Sequence, residues 1–366
     1  MMPEAGHITP TLRIANFLRD RGHEISYVTV SHYGGLFERL GFASEVMDDV
    51  PAVAQDDADF WSARQSGAMI ARALRLASLE RGSTWAMVML DAVMRTQPDL
   101  LLCDTTIVHS VERALLEQIG RPVVALGVCL PTKVMTHLPE MVLCPVEFDL
   151  PADERPPNRS YCEPSIWRDR TAVRQLPAWH ETHEVTQTRP LVYCSLGTQS
   201  VNYPQAIEVL RTVCTAFEAL PSHQLVLAAG TLYDELAGTP LSDNIQLVRS
   251  ASQLEVLQRA AVVITHGGLG TLKEAVLARV PCVVVPFTFD QPVNARRVVH
   301  HGLGRVCPPS DCSPETIRHH VLDLIDDPRV HEKLDDLSRV FWRSETEAPA
   351  GRAVHEMLGG GADALG

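Results

Sequence analysis

His266, Gly267 and Gly268 follow the β-branched run Val262-Val263-Ile264-Thr265, and apolar residues then recur at Leu269, Leu272 and Val276. That order of residue types predicts a buried parallel strand, a tight turn, and a helix whose first turn faces the carboxyl edge of a sheet. Such a helix start offers unpaired N–H groups and the positive end of a dipole, which favour an anion and above all a phosphate. His266 at the strand tip is placed to donate to that anion, and Thr271 adds a hydroxyl. Beyond Pro281, Asp290 and Gln291 supply two side chains that can each hold several hydroxyl groups. A phosphate seat followed by sugar-sized hydrogen-bonding groups implies chemistry on a nucleotide-linked sugar.

The chain has the elements to position such a site. Leu12, Ile14, Ala15, Phe17 and Leu18 give residues 9–21 a helical pattern that stops at Gly22, and 24–30 reads as a strand. An amphipathic stretch at about 66–96, a strand over 99–103, a helix over 108–119 and a strand over 122–128 follow. Pro151, Pro156, Pro157, Pro164 and Pro177 then mark a linker, after which strands are predicted at 191–194, 224–228, 245–248, 262–265 and 282–286 with helices between. Two further helical stretches begin at Pro314, and a last helix at about 341–358 is expected to pack back across the cleft. Strands alternating with helices imply parallel pairing, and two doubly wound halves place a ligand between the carboxyl ends of their sheets.

Composition narrows the class. A chain of 366 residues suits two domains, and a formal charge of −13 argues against nucleic acid as partner. No apolar run approaches the roughly 18 residues that span a bilayer, and no leader pattern opens the chain. The nine cysteines are scattered, several inside strand-like runs, so a cytoplasmic location is expected.

Gly6-His7-Ile8-Thr9-Pro10, Pro98 to Asp104, Ser195-Leu196-Gly197-Thr198, the His266 block and Asp290-Gln291 occur together and in order. In these residues the chain resembles the inverting family 1 glycosyltransferases of GT-B fold, nearest in look to bacterial enzymes of the carotenoid and macrolide type. The resemblance implies an α/β protein of two Rossmann-like domains facing each other across a cleft. It also implies a division into an acceptor-binding domain over 1–150, a linker over 151–188, a nucleotide-sugar-binding domain over 189–345 and a C-terminal helix and tail over 346–366. A hexose would pass from a nucleotide diphosphate sugar, UDP- or TDP-linked, to a hydroxyl of a hydrophobic small molecule. His7 would take the acceptor proton, suited by an imidazole pKa near 6.5, and Asp104 would orient its ring. Thr198, Gln253, His266, Gly268, Gly270, Thr271, Glu274, Asp290 and Gln291 would bind the donor. Glu274 would hold the ribose, Gln253 would lie beside the base, and no cofactor or metal is required. Peripheral membrane contact is compatible with a lipid-like acceptor.

Three departures from the family are expected to matter. The strand that precedes the Gly-His loop in relatives is missing, which would leave two neighbouring strands unpaired. Ser250 stands where many relatives carry an aromatic that stacks on the base, and the interval 130–143 is short. Plainer roles exist for each site residue: His7 at a helix start, Asp104 as a cap, Glu274 as a solvated carboxylate, Asp290 and Gln291 capping the next helix. Asp57 and Asp59, the adjacent pairs His300-His301 and His319-His320, and His180 with His183 lack metal-ligand spacing. Cys307 and Cys312 lack partners for zinc. An inactive paralogue that stabilises another transferase, and a nucleotide-sugar epimerase, are the alternatives. A glycosidase is disfavoured because no pair of carboxylates is set for acid and nucleophile roles.

Overall fold

The computed structural model describes residues 5–47, 93, 95–105, 120–130, 138–157, 159–168, 189–238 and 240–359. The helix expected over 108–119, most of the amphipathic stretch at 66–96, Asp57, Asp59, His180 and His183 lie outside these residues, as does much of the 130–143 interval.

The second half is built on one sheet of six parallel strands: β7 (Leu191–Ser195), β8 (Gln224–Ala228), β9 (Ile245–Val248), β10 (Ala260–Thr265), β11 (Cys282–Val284) and β12 (Gly304–Val306). Its order, β12-β11-β10-β7-β8-β9, is the doubly wound arrangement in which strand order reverses beside β7. Ligands bind at the carboxyl ends of strands flanking that reversal. Both of those strands, β7 and β10, run straight into candidate site residues. Val262, Val263 and Ile264 are fully buried, as a strand covered by helices on both faces requires.

The first half carries β1 (Ser26–Val30) paired with β2 (Ala43–Met47), and a second parallel sheet β3-β4-β5-β6. The latter consists of β3 (Leu101–Asp104), β4 (Val123–Gly127), β5 (Glu140–Val142) and β6 (Arg159–Tyr161). Among the described residues β1 bonds only to β2 and β3 only to β4, so this half holds two sheets rather than one. The stretch read from composition as a linker contributes β6, which pairs with β5 as the edge strand of the four.

The helices are α1 (Ala5–Arg19), α2 (Ser31–Arg39), α3 (Ala206–Glu218), α4 (Tyr233–Ala237), α5 (Gln253–Leu257), α6 (Leu269–Ala278), α7 (Gln291–His300), α8 (Pro314–Ile325), α9 (Pro328–Glu347) and α10 (Pro349–Met357). The first departs from expectation. It begins at Ala5 and takes in Gly6 and His7, although the Gly-His-x-x-Pro segment reads as a turn before a helix. Pro10, the sixth residue of α1, lacks the N–H that would bond the Gly6 carbonyl, so the helix gives up one backbone bond there. The last helix also differs: Ala348 adopts a left-handed φ of 47° and divides it into α9 and α10.

α1 is buried on two faces. Ile8, Leu12 and Ala15 pack with Tyr27, Phe37 and Phe42. On its other side Ile14 and Leu18 meet Ala350 and Val354 of α10. The C-terminal helix thus spans from the second half onto the first. Arg13 of α1 pairs with Glu345 of α9 at 2.8 Å along the same seam.

Candidate functional site

His7 sits in the first turn of α1 and Asp104 ends β3. The two are brought together: His7 Nδ1 lies 2.7 Å from Asp104 Oδ2. The carboxylate is fully buried, while the His7 side chain keeps 14% of its surface open. A buried carboxylate that accepts from Nδ1 fixes the ring and places its N–H on that nitrogen, the tautomer in which Nε2 is the basic nitrogen.

Across the cleft, β10 delivers His266 and β7 delivers Gly197 and Thr198. The His266 ring lies between two glycines. A Cβ at Gly197 would stand 2.6 Å from its Cε1, and one at Gly268 would stand 2.5 Å from its Nε2. Gly197 and Gly267 both have positive φ, 81° and 85°, so the two turns use the conformation glycine tolerates. Burial drives the His266 imidazole down to about 4, which keeps the ring neutral near pH 7 with one N–H to give. Thr198 is exposed at the tip of its turn.

α6 starts at Leu269 after Gly268, and no side chain caps it. Its first N–H groups are therefore unclaimed by a capping residue. A Cβ at Gly270 would meet nothing within 4 Å, so open space lies over that first turn. On the next turn Glu274 is buried, and Gln253 Nε2 donates to Glu274 Oε2 at 2.7 Å and to Thr271 Oγ1 at 3.3 Å. Three of the residues assigned to donor binding thus form one polar cluster. Ser250, exposed ahead of them, presents no aromatic ring.

Asp290 and Gln291 follow β11. Asp290 occupies the position just before α7 but its carboxylate caps no N–H there, so the plain capping role does not hold. Burial raises its carboxyl above the ordinary value, against which the hydrogen bond from Asn294 and the charges of Arg297 and His7 act. His7 and Asp290, from opposite halves, are therefore within electrostatic reach. Gln291 is buried, and its Oε1 accepts from the Phe287 and Thr288 N–H groups at 2.8 and 3.1 Å. Its Nε2 donates to the Tyr203 hydroxyl at 2.9 Å, which leaves one N–H for a ligand. Tyr203 in turn stacks on Phe287 at 4.8 Å and lies 6.4 Å from the His266 ring.

Sequence reasoning did not single out Tyr203, Asn294, Arg297 or Lys273. The period of α7 held a signal, since Gln291, Asn294 and Val298 share its inner face and a polar residue amid buried neighbours asks for a partner. Among the described residues His301 donates to the carbonyls of Phe148 and Asp149 at 3.0 and 3.1 Å, which accounts for one member of the His300-His301 pair.

Residues 224–340 match the family described as erythromycin biosynthesis protein CIII-like, C-terminal domain. NDP-glycosyltransferase YjiC of Bacillus licheniformis is 29% identical over 49% of this chain and 43% of its own length. The protein of the same name from Bacillus subtilis is 22% identical over 92% of this chain and 91% of its own. The zeaxanthin glucosyltransferase of Pantoea ananas is 36% identical over 32% of this chain and 27% of its own. The first and third of these matches span less than half of the relative. Among solved structures, the glycotransferase of kitacinnamycin superposes with a TM-score of 0.78 at 21% identity, covering 97% of this chain and 96% of that one. Spinosyn rhamnosyltransferase SpnG, solved with thymidine diphosphate, gives 0.75 at 18% identity over 98% of both chains. These two likenesses are of fold.

Proposed function

We propose that this chain is a family 1 glycosyltransferase of GT-B fold, as the C-terminal family match, the Bacillus relatives and the fold neighbours support, and that it moves a hexose from a UDP- or TDP-linked donor to a hydroxyl of a hydrophobic small molecule, with inversion. The observation that carries the reading is the 2.7 Å contact between His7 and the fully buried Asp104. It stands across the cleft from an uncapped helix start.

In this reaction the acceptor hydroxyl gives its proton to His7 Nε2 as its oxygen attacks the anomeric carbon. The bond from that carbon to the β-phosphate oxygen breaks, and the nucleoside diphosphate leaves with the electron pair. Asp104 accepts from Nδ1 throughout and stabilises the imidazolium that forms. The leaving oxyanion is met by the first N–H groups of α6, by the neutral N–H of His266, and by the hydroxyls of Thr198 and Thr271. Fixed dipoles supply the counter-charge, so the reading needs no metal. Glu274 takes the ribose hydroxyls with Gln253 beside it, and Asp290 with the remaining N–H of Gln291 takes the sugar.

The hydrophobic acceptor is supported by similarity to a protein named for zeaxanthin, a carotenoid. The thymidine diphosphate bound by a fold neighbour supports TDP as a donor nucleotide beside UDP. The scattered cysteines fit a reducing compartment, which makes the enzyme cytoplasmic in this reading. Among the described residues no helix is long and apolar enough to cross a membrane.

A panel of hydroxylated polyketides, carotenoids and flavonoids, offered with UDP-glucose and TDP-glucose, tests the proposal. Transfer to at least one acceptor, lost in His7→Ala with donor affinity kept, is the expected result. Consumption of donor without acceptor, giving an isomerised sugar, would replace transfer by epimerisation.

A further inference from the structure

Behind the sugar end of the site runs a buried chain of polar groups that the transfer chemistry does not use. Arg297 on α7 is 1% exposed, and its Nε and Nη2 donate to Asp149 Oδ1 at 2.9 and 2.7 Å. Asp149 also accepts from the Leu150 N–H at 2.8 Å and from the Tyr161 hydroxyl at 2.5 Å. Burial works against its charge, but Tyr161 and Arg297 outweigh it and hold the carboxyl below the ordinary value. The pair is ionised and bonded on both sides, as a buried ion pair must be.

The third guanidinium nitrogen of this chain reaches the site. Arg297 Nη1 donates to Asn294 Oδ1 at 2.9 Å. Asn294 is fully buried, and its Nδ2 donates to the Gly267 carbonyl at 2.9 Å and to Asp290 Oδ2 at 3.0 Å. Both amide hydrogens and the amide oxygen are thereby used. A flipped amide would set its oxygen against a carbonyl and a carboxylate, and its hydrogens against a guanidinium. Arg297 therefore dictates which way the amide points. One side chain joins the turn that carries His266 to the carboxylate assigned to the sugar, and Asp149 anchors it from the segment between β5 and β6 of the other half.

We propose that Asn294, oriented by the buried Arg297–Asp149 pair, is a positioning residue that holds Asp290 against the His266 turn and so sets how strongly the sugar of the donor is recognised. The inference rests on the assignment of Asp290 to the sugar made above. Its chemistry is specific: an amide is needed because the position must accept from a cation on one side and donate to two oxygens on the other. Aspartate, of the same shape, cannot donate to either oxygen.

The test compares wild type, Asn294→Asp, Arg297→Lys and Tyr161→Phe in two measurements. Calorimetry with UDP, TDP and their glucose conjugates, from about pH 4 to about pH 8 to bracket carboxylate and imidazole titration, gives the affinity ratio of nucleotide sugar to nucleotide. Asn294→Asp is expected to lower that ratio at least about tenfold, the size of one lost charge-assisted contact. It should also move the acid limb of sugar-nucleotide affinity to higher pH, because Asp290 loses its donor and gains a like charge. Arg297→Lys shifts the ratio in the same direction by less. Tyr161→Phe does so least, at the half-buried outer end of the chain, and serves if the inner variants do not fold. A ratio and an acid limb unchanged in a folded Asn294→Asp protein would overturn the proposal.

Amide hydrogen exchange on the same proteins separates this idea from the functional reading. If wild type binds no nucleotide sugar, the assignment of Asp290 fails. The positioning role is then still expected to appear as faster exchange at 266–269 and 287–291 in Asn294→Asp. Unchanged exchange there would overturn it on structural grounds alone.

Discussion

His7 and Asp104 are 97 residues apart in sequence and 2.7 Å apart in space, so each gives the other its meaning. Removing the imidazole in His7→Ala should lower kcat by roughly 10²–10⁴, the usual worth of a general base, with donor Kd unchanged in calorimetry. Asp104→Asn keeps the shape but not the charge that favours the imidazolium. It should lower kcat less and move the acid limb of the rate, where the base becomes protonated, to lower pH, readable in a pH–rate profile. An equal fall of kcat and of donor affinity in His7→Ala would place His7 in folding rather than proton transfer. On the other side of the cleft, His266 is held neutral down to about pH 4 by burial. Its unfolded form protonates near 6.5, so the unfolded state binds more protons between those values. Stability should therefore decline as pH falls from about 6.5 toward 4, and a bound diphosphate should raise the His266 pKa. Proton NMR of the imidazole with and without nucleotide measures both. Gly268→Ala would push a methyl to 2.5 Å from Nε2 of that ring and should cost donor affinity more than stability. The His266 turn, Glu274 and Asp290-Gln291 were legible because strand, glycine turn and helix start are local signals. Tyr203, Asn294 and Arg297 were not, because their partners lie 88 residues away or more, or depend on which helix face is covered.

At the scale of elements, strands and helices of ordinary length announced themselves, and short or interrupted ones did not. β7, β8 and β10 read as apolar runs because both faces are largely buried. β6 spans three residues in a proline-rich stretch, where composition points to a linker and only pairing with β5 reveals a strand. The helix containing His7 was read as beginning too late, since Pro10 looks like a start signal whether it stands at the first or the sixth position. The break at Ala348 is marked locally only by Pro349, which disfavours helix at the residue before it, while alanine itself is the strongest helix former. Its effect is to turn α10 onto α1, where Gly351 meets Phe17: a Cβ there would lie 2.5 Å from the ring. Gly351→Val should therefore destabilise the fold by about 1–3 kcal/mol through overpacking. Urea denaturation checks this, and a value near zero would mean that α10 is not docked on α1.

The whole molecule is held as one body by buried polar ties as well as by apolar contact. Lys273, on the face of α6 away from Thr271 and Glu274, is 1% exposed and donates to the carbonyls of Leu143 and Pro164 at 2.9 and 2.6 Å. The helix proposed to seat the phosphate is thereby fastened to the segment around β5 and β6. Burial lowers the Lys273 pKa, yet two carbonyls facing the ammonium would be left without a donor if it were removed. Lys273→Met should cost about 1–3 kcal/mol for those orphaned acceptors, again by urea denaturation, whereas a stabilised protein would show that desolvation of the charge dominates. Sequence alone could divide the chain into two α/β halves but could not reveal these ties, since a buried lysine on an otherwise apolar helix is indistinguishable from an exposed one until its neighbours are known.

The account turns on a donor seat at the start of α6, and calorimetric titration of UDP, TDP and their glucose conjugates into wild type and His266→Ala tests it most directly. Micromolar binding of at least one nucleotide by wild type, weakened about tenfold or more in the variant, is the predicted result, equivalent to about 1.4 kcal/mol or more from one imidazole contact. A folded wild-type protein that binds none of them, or binding indifferent to His266, would contradict it.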